Sequence, residues 1–330
     1  MSSEINFKPF KPSPWVPGGH IQTLWRKIAP VIEVDHRRER IELKDGDFID
    51  VDWHDGPGVK SANNGTLVLI LHGLCGCSKS KYVQSLQLRL GLAGFSSVVM
   101  NFRGCSGEVN RLAKAYHSGI TEDLAEVFDY VVRQRSNHRI ALAGFSLGAN
   151  VLLKWLGESE FNERVHKAVA VSTPFRLSYC SQAMLKGISR FYGKYFLRKL
   201  VGEMEIKKAH FRATGNKVQL ELLESFGDLR LLDTLWQFDD KVTAPLHGFS
   251  GAEDYYNKCS SAQFLTAIKT PTLLVQSYDD PIIPPPSLPT NDELSEHINI
   301  DLSKKGGHVG FASASDRYWL EHHIISFLAA

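Results

Sequence analysis

Residues 139–157 read RIALAGFSLGANVLLKWLG, and the fold turns on how this stretch is read. Ile140–Ala143 is short and apolar, the mark of a buried strand. Ala149–Leu156 carries apolar residues at helical spacing. Between them lies Gly144-Phe145-Ser146-Leu147-Gly148, a G-x-S-x-G pentapeptide. Five residues of this kind occur by chance, but a strand before and a helix after are what a nucleophile elbow requires. Such a turn forces its serine into a strained backbone conformation. Gly144 and Gly148 are expected because side chains there would collide across the turn. The helix that follows aims N–H groups, Leu147 first, at a developing oxyanion.

Outward from the elbow, strands and helices alternate. Strand-like runs lie at Arg38–Leu43, Phe48–Trp53, Thr66–Leu71, Ser96–Phe102, Arg139–Ala143, Ala168–Ser172, Thr272–Gln276 and Ile298–Leu302. Helical patterns follow at Tyr82–Leu92, Glu122–Arg133, Ala149–Leu156 and Asp316–Leu328. This alternation predicts βαβ units and a mostly parallel eight-stranded sheet. Asp45-Gly46 joins the first two strands as a hairpin and makes an antiparallel edge. Residues 175–270 break the alternation: strand character is low, and Leu185, Ile188, Tyr192, Phe196 and Leu200 recur at helical spacing. They are expected to form a helical cap after strand 6, its apolar face packed on the core, over a catalytic core of residues 31–174 and 271–330. Residues 1–30 are Pro-rich and aromatic, an arm expected to pack on the core with Trp15 and Trp25 as anchors.

A serine hydroxyl needs a base, and the base a third group to orient it. In an elbow fold these follow in the order serine, acid, histidine. The acid belongs past Thr272–Gln276, where Asp279 and Asp280 compete. Of the 13 histidines only His297, His308, His322 and His323 lie beyond it. His308 alone follows a strand, in a glycine-flanked loop. The turn His72-Gly73-Leu74 directly after Thr66–Leu71 offers the Leu74 N–H as partner to that of Leu147 in an oxyanion hole. His72 itself is expected to shape the turn. Arg103 reads as a loop-holding cation and His117 as a structural group.

Composition sets the outer bounds. The chain has 330 residues, 43% hydrophobic and 22% charged, so it can bury a large core. Its net charge of +2 argues against a nucleic-acid binder. Five cysteines make no disulfide framework and no zinc-ligand spacing. Neither an apolar leader nor a spanning run is present, so a cytoplasmic protein without a transmembrane anchor is expected.

These motifs resemble the α/β-hydrolase superfamily and, within it, the YheT-like branch. The branch resemblance rests on Pro17–Leu24 (PGGHIQTL), His72–Tyr82 (HGLCGCSKSKY), Asn101–Asn110 (NFRGCSGEVN), Tyr116–Asp123 (YHSGITED) and Gly144–Gly157 (GFSLGANVLLKWLG). It implies an α/β-hydrolase fold and a Ser146–His308–Asp280 triad, Asp280 being preferred over Asp279 because it opens the D-x-I-I-P loop usual there. It also implies cleavage of small-molecule carboxylic esters with no metal or organic cofactor. Short- to medium-chain acyl esters or a monoacylglycerol are the expected substrates. Acyl transfer or thioester hydrolysis through the same triad is the alternative. Membrane contact by the basic cap helix is not favoured over a lid.

Overall fold

The computed structural model describes residues 9–28, 30, 33–56, 65–159 and 163–330. The first eight residues of the expected arm therefore lie outside the described residues. Eight strands form one sheet: β1 (Arg37–Glu42), β2 (Phe48–Asp55), β3 (Thr66–Leu71), β4 (Ser96–Met100), β5 (Arg139–Phe145), β6 (Val165–Val171), β7 (Thr272–Ser277) and β8 (Ile298–Ser303). Their order is β1-β2-β4-β3-β5-β6-β7-β8. The β1–β2 and β2–β4 pairs are antiparallel and the others parallel. β4 stops at Met100 rather than Phe102, where the Phe102 N–H leaves the ladder and donates to His72 Nε2.

β3 reads TLVLIL and is buried along its whole length, as a strand covered on both faces must be. Its side chains alternate between two apolar layers. Leu67, Leu69 and Leu71 face Val127, Phe128 and Leu152; Val68 and Ile70 face Val83, Leu86 and Ile324. Each such Leu or Ile contributes about 1.5–3 kcal/mol relative to exposure. The covering helices are α2 (Lys81–Leu92), α3 (Thr121–Gln134), α4 (Leu147–Glu158) and, at the end of the chain, a helix over Trp319–Ala329.

The Pro-rich arm differs from expectation. Residues 18–28 form a helix, α1 (Gly18–Ile28), and the two tryptophans point outward: Trp15 is 90% exposed and Trp25 40%. The described part of the arm is held instead by Phe10, packed edge-on to Phe311, and by buried Gly19, Gln22 and Thr23. Gln22 Nε2 donates to the Val16 and Ala312 carbonyls, and its Oε1 accepts from the Ala312 N–H. The tryptophans are free to turn out because these close contacts already fix the arm.

Between β6 and β7 run α5 (Leu177–Ala183), α6 (Arg190–Thr214), α7 (Lys217–Glu224), α8 (Leu235–Phe238), α9 (Ala244–Leu246) and α10 (Ala252–Cys259). The chain-terminal helix is α11 (Trp319–Ala329). This segment buries its own apolar cluster, including Leu197, Met204, Phe211 and Phe238. Of the apolar face expected to pack on the core, Tyr192 is buried and Phe196 and Leu200 are partly buried. Leu185 and Ile188 are not: they are 49% and 61% exposed, because they precede α6 and look away from the sheet.

Candidate active site

β5 ends on the elbow. Ser146 sits at φ 51° and ψ −119°, a conformation costly for a residue with a side chain. The surroundings over-determine it: its N–H donates to Val171 O at 2.9 Å, and its carbonyl accepts from the Ala149 and Asn150 amides. A Cβ on Gly144 would lie 2.7 Å from the Ala149 Cα, a clash across the turn. Gly148 is constrained differently from expectation. Its missing Cβ would meet the Leu71 and His72 carbonyl oxygens at 2.7 and 2.5 Å, so it brings the elbow against the end of β3.

The loop after β7 supplies Asp280, 5% exposed, whose Oδ1 accepts from the Ile282 and Ile283 amides at 2.8 and 3.1 Å. Its Oδ2 lies 2.8 Å from His308 Nδ1, in the loop after β8, and His308 Nε2 lies 2.9 Å from Ser146 Oγ. A carboxylate can only accept, so Nδ1 carries the proton and Nε2 faces the hydroxyl as an acceptor. Asp279 is placed elsewhere: its Oδ1 accepts from the Gly307 N–H at 2.9 Å and so supports the histidine loop.

The turn after β3 lies against the elbow, a Cβ on Gly73 falling 3.2 Å from the Ser146 Cβ. Its amides are occupied selectively. Gly73 N–H donates to Tyr82 Oη and Cys75 N–H to Tyr116 Oη, each at 2.8 Å. Among the described residues no acceptor takes the Leu74 N–H between them. The Leu147 N–H, first in α4, has no carbonyl acceptor within its helix. His72 Nδ1 donates to Gly73 O at 2.8 Å while Nε2 accepts from Phe102 N–H. Full burial pulls its pKa down to about 4, so it stays a neutral strut.

Several supports carried no legible signal in the sequence. Thr23 Oγ1 on α1 accepts the His308 N–H at 2.8 Å, and Ser172 Oγ accepts that of Val309 at 2.9 Å. A Cβ on Gly19 would fall 1.7 Å from Asp279 O, which explains the glycine in PGGH. Buried Asn150 on α4 donates to Ser118 O and Cys259 O, both at 2.7 Å, and accepts from Ser261 N. The resemblance flags the strings that contain Gly19, Thr23 and Asn150, but only contacts distant in the sequence reveal what these residues hold.

Arg103 does not reach the serine. It forms a bidentate pair with Asp123 at 2.6 and 2.7 Å and bonds Asp45 and Asp47, clamping the β1–β2 hairpin to α3. His117 is buried against His247, ring centroids 4.3 Å apart, and both imidazoles are pushed down in pKa by burial.

Two hollows meet at Ser146. One, about 120 Å³, runs beneath α6 and is lined by Leu147, Phe196, Leu200, Met204 and Leu246, ending at Tyr255 and Tyr256. The other, about 320 Å³, reaches the surface past His308, Tyr82, Tyr192 and Lys81. A reacting carbonyl at Ser146 would have the smaller apolar hollow on one side and the larger groove on the other. No helix of the described residues is long and apolar enough to cross a membrane.

Residues 66–314 match the family model described as the alpha/beta hydrolase fold. The chain is 36% identical to the Escherichia coli (strain K12) protein named "Putative esterase YheT", over 94% of this chain and 89% of that one. It is 30% identical to the monoacylglycerol lipase of Saccharomyces cerevisiae, over 83% of this chain and 61% of that one. In fold it is similar to the Pyrococcus furiosus esterase Pf2001, with a TM-score of 0.58, 13% identity and 98% of each chain covered.

Proposed function

The chain belongs to the α/β-hydrolase family, in its YheT-like branch, and on that footing we propose that it is a serine esterase with Ser146 as nucleophile. The observation that carries the reading is the unbroken relay from Asp280 Oδ2 through His308 to Ser146 Oγ, 2.8 and 2.9 Å. Ser146 Oγ attacks the ester carbonyl while His308 Nε2 takes its proton. Asp280 holds the imidazole and stabilises its cation. The Leu74 and Leu147 amides bind the oxyanion, and each such donor is typically worth ~10²–10³ in rate. His308 returns the proton to the leaving alcohol, and water then releases the acid by the same route.

Residues 175–270 act as the lid. They roof the apolar hollow, which takes the acyl chain, and leave the open groove to the alcohol. An apolar hollow of this size suits short- to medium-chain acyl groups, and the names of the bacterial esterase and yeast lipase relatives point to the same ester chemistry. Ser146→Ala should fold as the unaltered chain does and lose p-nitrophenyl butyrate hydrolysis by ~10⁴-fold or more. Comparable turnover by the two proteins would overturn the assignment.

A further inference from the structure

Large exposed apolar side chains are gathered beside the open groove. α1 presents Ile21, Leu24, Trp25 and Ile28, spaced as one helical stripe, at 48, 50, 40 and 69% exposure. Ile188, just before α6, and Phe191, in its first turn, are 61% and 65% exposed. The two elements are neighbours: His20 Nδ1 lies 3.2 Å from Tyr192 Oη, and Lys27 Nζ sits 4.1 Å from the centre of the Tyr195 ring. Both border the groove that opens on Ser146 and His308. Buried Gly19, Gln22 and Thr23 hold α1 to the protein from its other face, so the outward stripe is not needed to seat it.

Charge is concentrated at the same place. Residues 11–28 and 176–202 hold no Asp or Glu; Arg26 and Arg176 are taken up in ion pairs with Glu321 and Glu293, which leaves Lys27, Lys186, Arg190, Lys194, Arg198 and Lys199 as the cations of these elements, in a chain whose net charge is only +2. Lys79 and Lys81 line the groove itself. An apolar ridge flanked by flexible cations is the surface that lies in a lipid interface, the ridge among acyl chains and the ammonium groups among anionic headgroups. A second copy of this chain fits poorly, because like charge would face like charge. We propose that this face docks on an anionic lipid surface, with the mouth of the groove turned toward it. If the esterase reading holds, a lipid ester would then reach Ser146 along the groove. The docking itself does not depend on that reading.

The test is co-sedimentation of the full chain with phosphatidylglycerol vesicles and with phosphatidylcholine vesicles, at low salt. Binding to the first and not the second is expected, with a blue shift of tryptophan emission from Trp15 and Trp25. An Ile28→Glu/Phe191→Glu variant should lose at least about tenfold in vesicle affinity while hydrolysing p-nitrophenyl acetate like the unaltered chain. Absence of binding to phosphatidylglycerol, or equal binding by the variant, overturns the proposal. So does a dimer in light scattering that the variant dissociates, which would put a second copy on this face. Vesicle binding without p-nitrophenyl acetate hydrolysis would instead sink the esterase reading and leave the docking intact.

Discussion

Two adjacent aspartates show how one residue's backbone setting divides similar side chains between different tasks. Asp280 sits where Ile282 and Ile283 amides fix one oxygen and His308 takes the other; Asp279 points its Oδ1 at Gly307. Asp280→Asn should therefore lower kcat by about 10⁴, since an amide cannot hold the imidazole tautomer the relay needs. Asp279→Asn keeps an oxygen for the Gly307 amide and should cost far less. Steady-state kinetics on p-nitrophenyl butyrate would separate them, and the reverse ranking would move the acid to Asp279. The juxtaposition of Ser146 and His308 was legible because chain order and strand ends leave few histidines to choose from. Thr23, Ser172, Tyr82 and Tyr116 were not, since a hydroxyl that accepts one backbone N–H has no local pattern. The spacing marks Gly148 as a glycine of the turn, whereas its closest neighbours are Leu71 and His72 at the end of β3, a proximity no one-dimensional spacing encodes.

At the scale of elements, periodicity located the strands and core helices, because their apolar residues face the sheet. The tryptophan anchors expected of the arm fail at α1 for a physical reason. That helix is held by small and polar side chains in close backbone contact, while its apolar stripe faces out, so the usual inference from stripe to core runs backwards. The start of the helical segment over 175–270 inverts in the same way at Leu185 and Ile188. The proposed lid lends itself to a volume test. Leu200 lines the apolar hollow and is partly buried, so Leu200→Trp should fill space without opening a cavity. We expect the octanoate-to-acetate ratio of kcat/KM to fall by about tenfold or more, a few methylenes at ~1–3 kcal/mol each being ample. An unchanged ratio across p-nitrophenyl esters would place the acyl chain elsewhere.

At the scale of the whole molecule, the mostly parallel sheet and its antiparallel edge were legible from alternation and the hairpin, but the strand order and the charges that tie that edge to the sheet were not. Arg103 is 7% exposed and faces Asp123 and Asp47, both nearly inaccessible. Arg103→Met would leave those carboxylates without a cation and should destabilise the fold by ~3–5 kcal/mol, measurable by urea unfolding. A loss below about 1 kcal/mol would mean that water reaches the clamp. Acid should destabilise the protein through its buried histidines. His72 and His247 have folded pKa values near 4, below the ordinary 6.5, and that of His117 is also lowered. Their contribution is complete above pH 6.5 and is lost as pH falls toward 4, because the unfolded chain takes up protons that the folded one refuses, at about 1.4 kcal/mol per pH unit for each group. Buried Asp239, its carboxyl pushed up to about 6, acts in the opposite sense over the window from 6 down to 3.8. Asp123 and Glu203, also raised by burial, act with Asp239, and the part-buried His138 and His166, also lowered, act with the other three; five imidazoles against three carboxyls predict a net fall in urea-unfolding free energy between pH 6.5 and 4.5, and a rise would show that the carboxyls prevail.

The hydrogen bond from His308 N–H to Thr23 Oγ1 joins residues 285 positions apart, and the Pro12–Ser313 bridge closes a similar span beside it. Such closure is slow relative to local contacts, though its entropic cost grows only gently with length. During synthesis, α1 must therefore wait without its partner while the sheet is laid down strand by strand. The relay can form only when the loop after β8 has left the ribosome and met the helix made near the start. On the proposed mechanism, a nascent chain halted before that loop would carry the elbow serine without its base, and the reaction would wait until translation had passed His308.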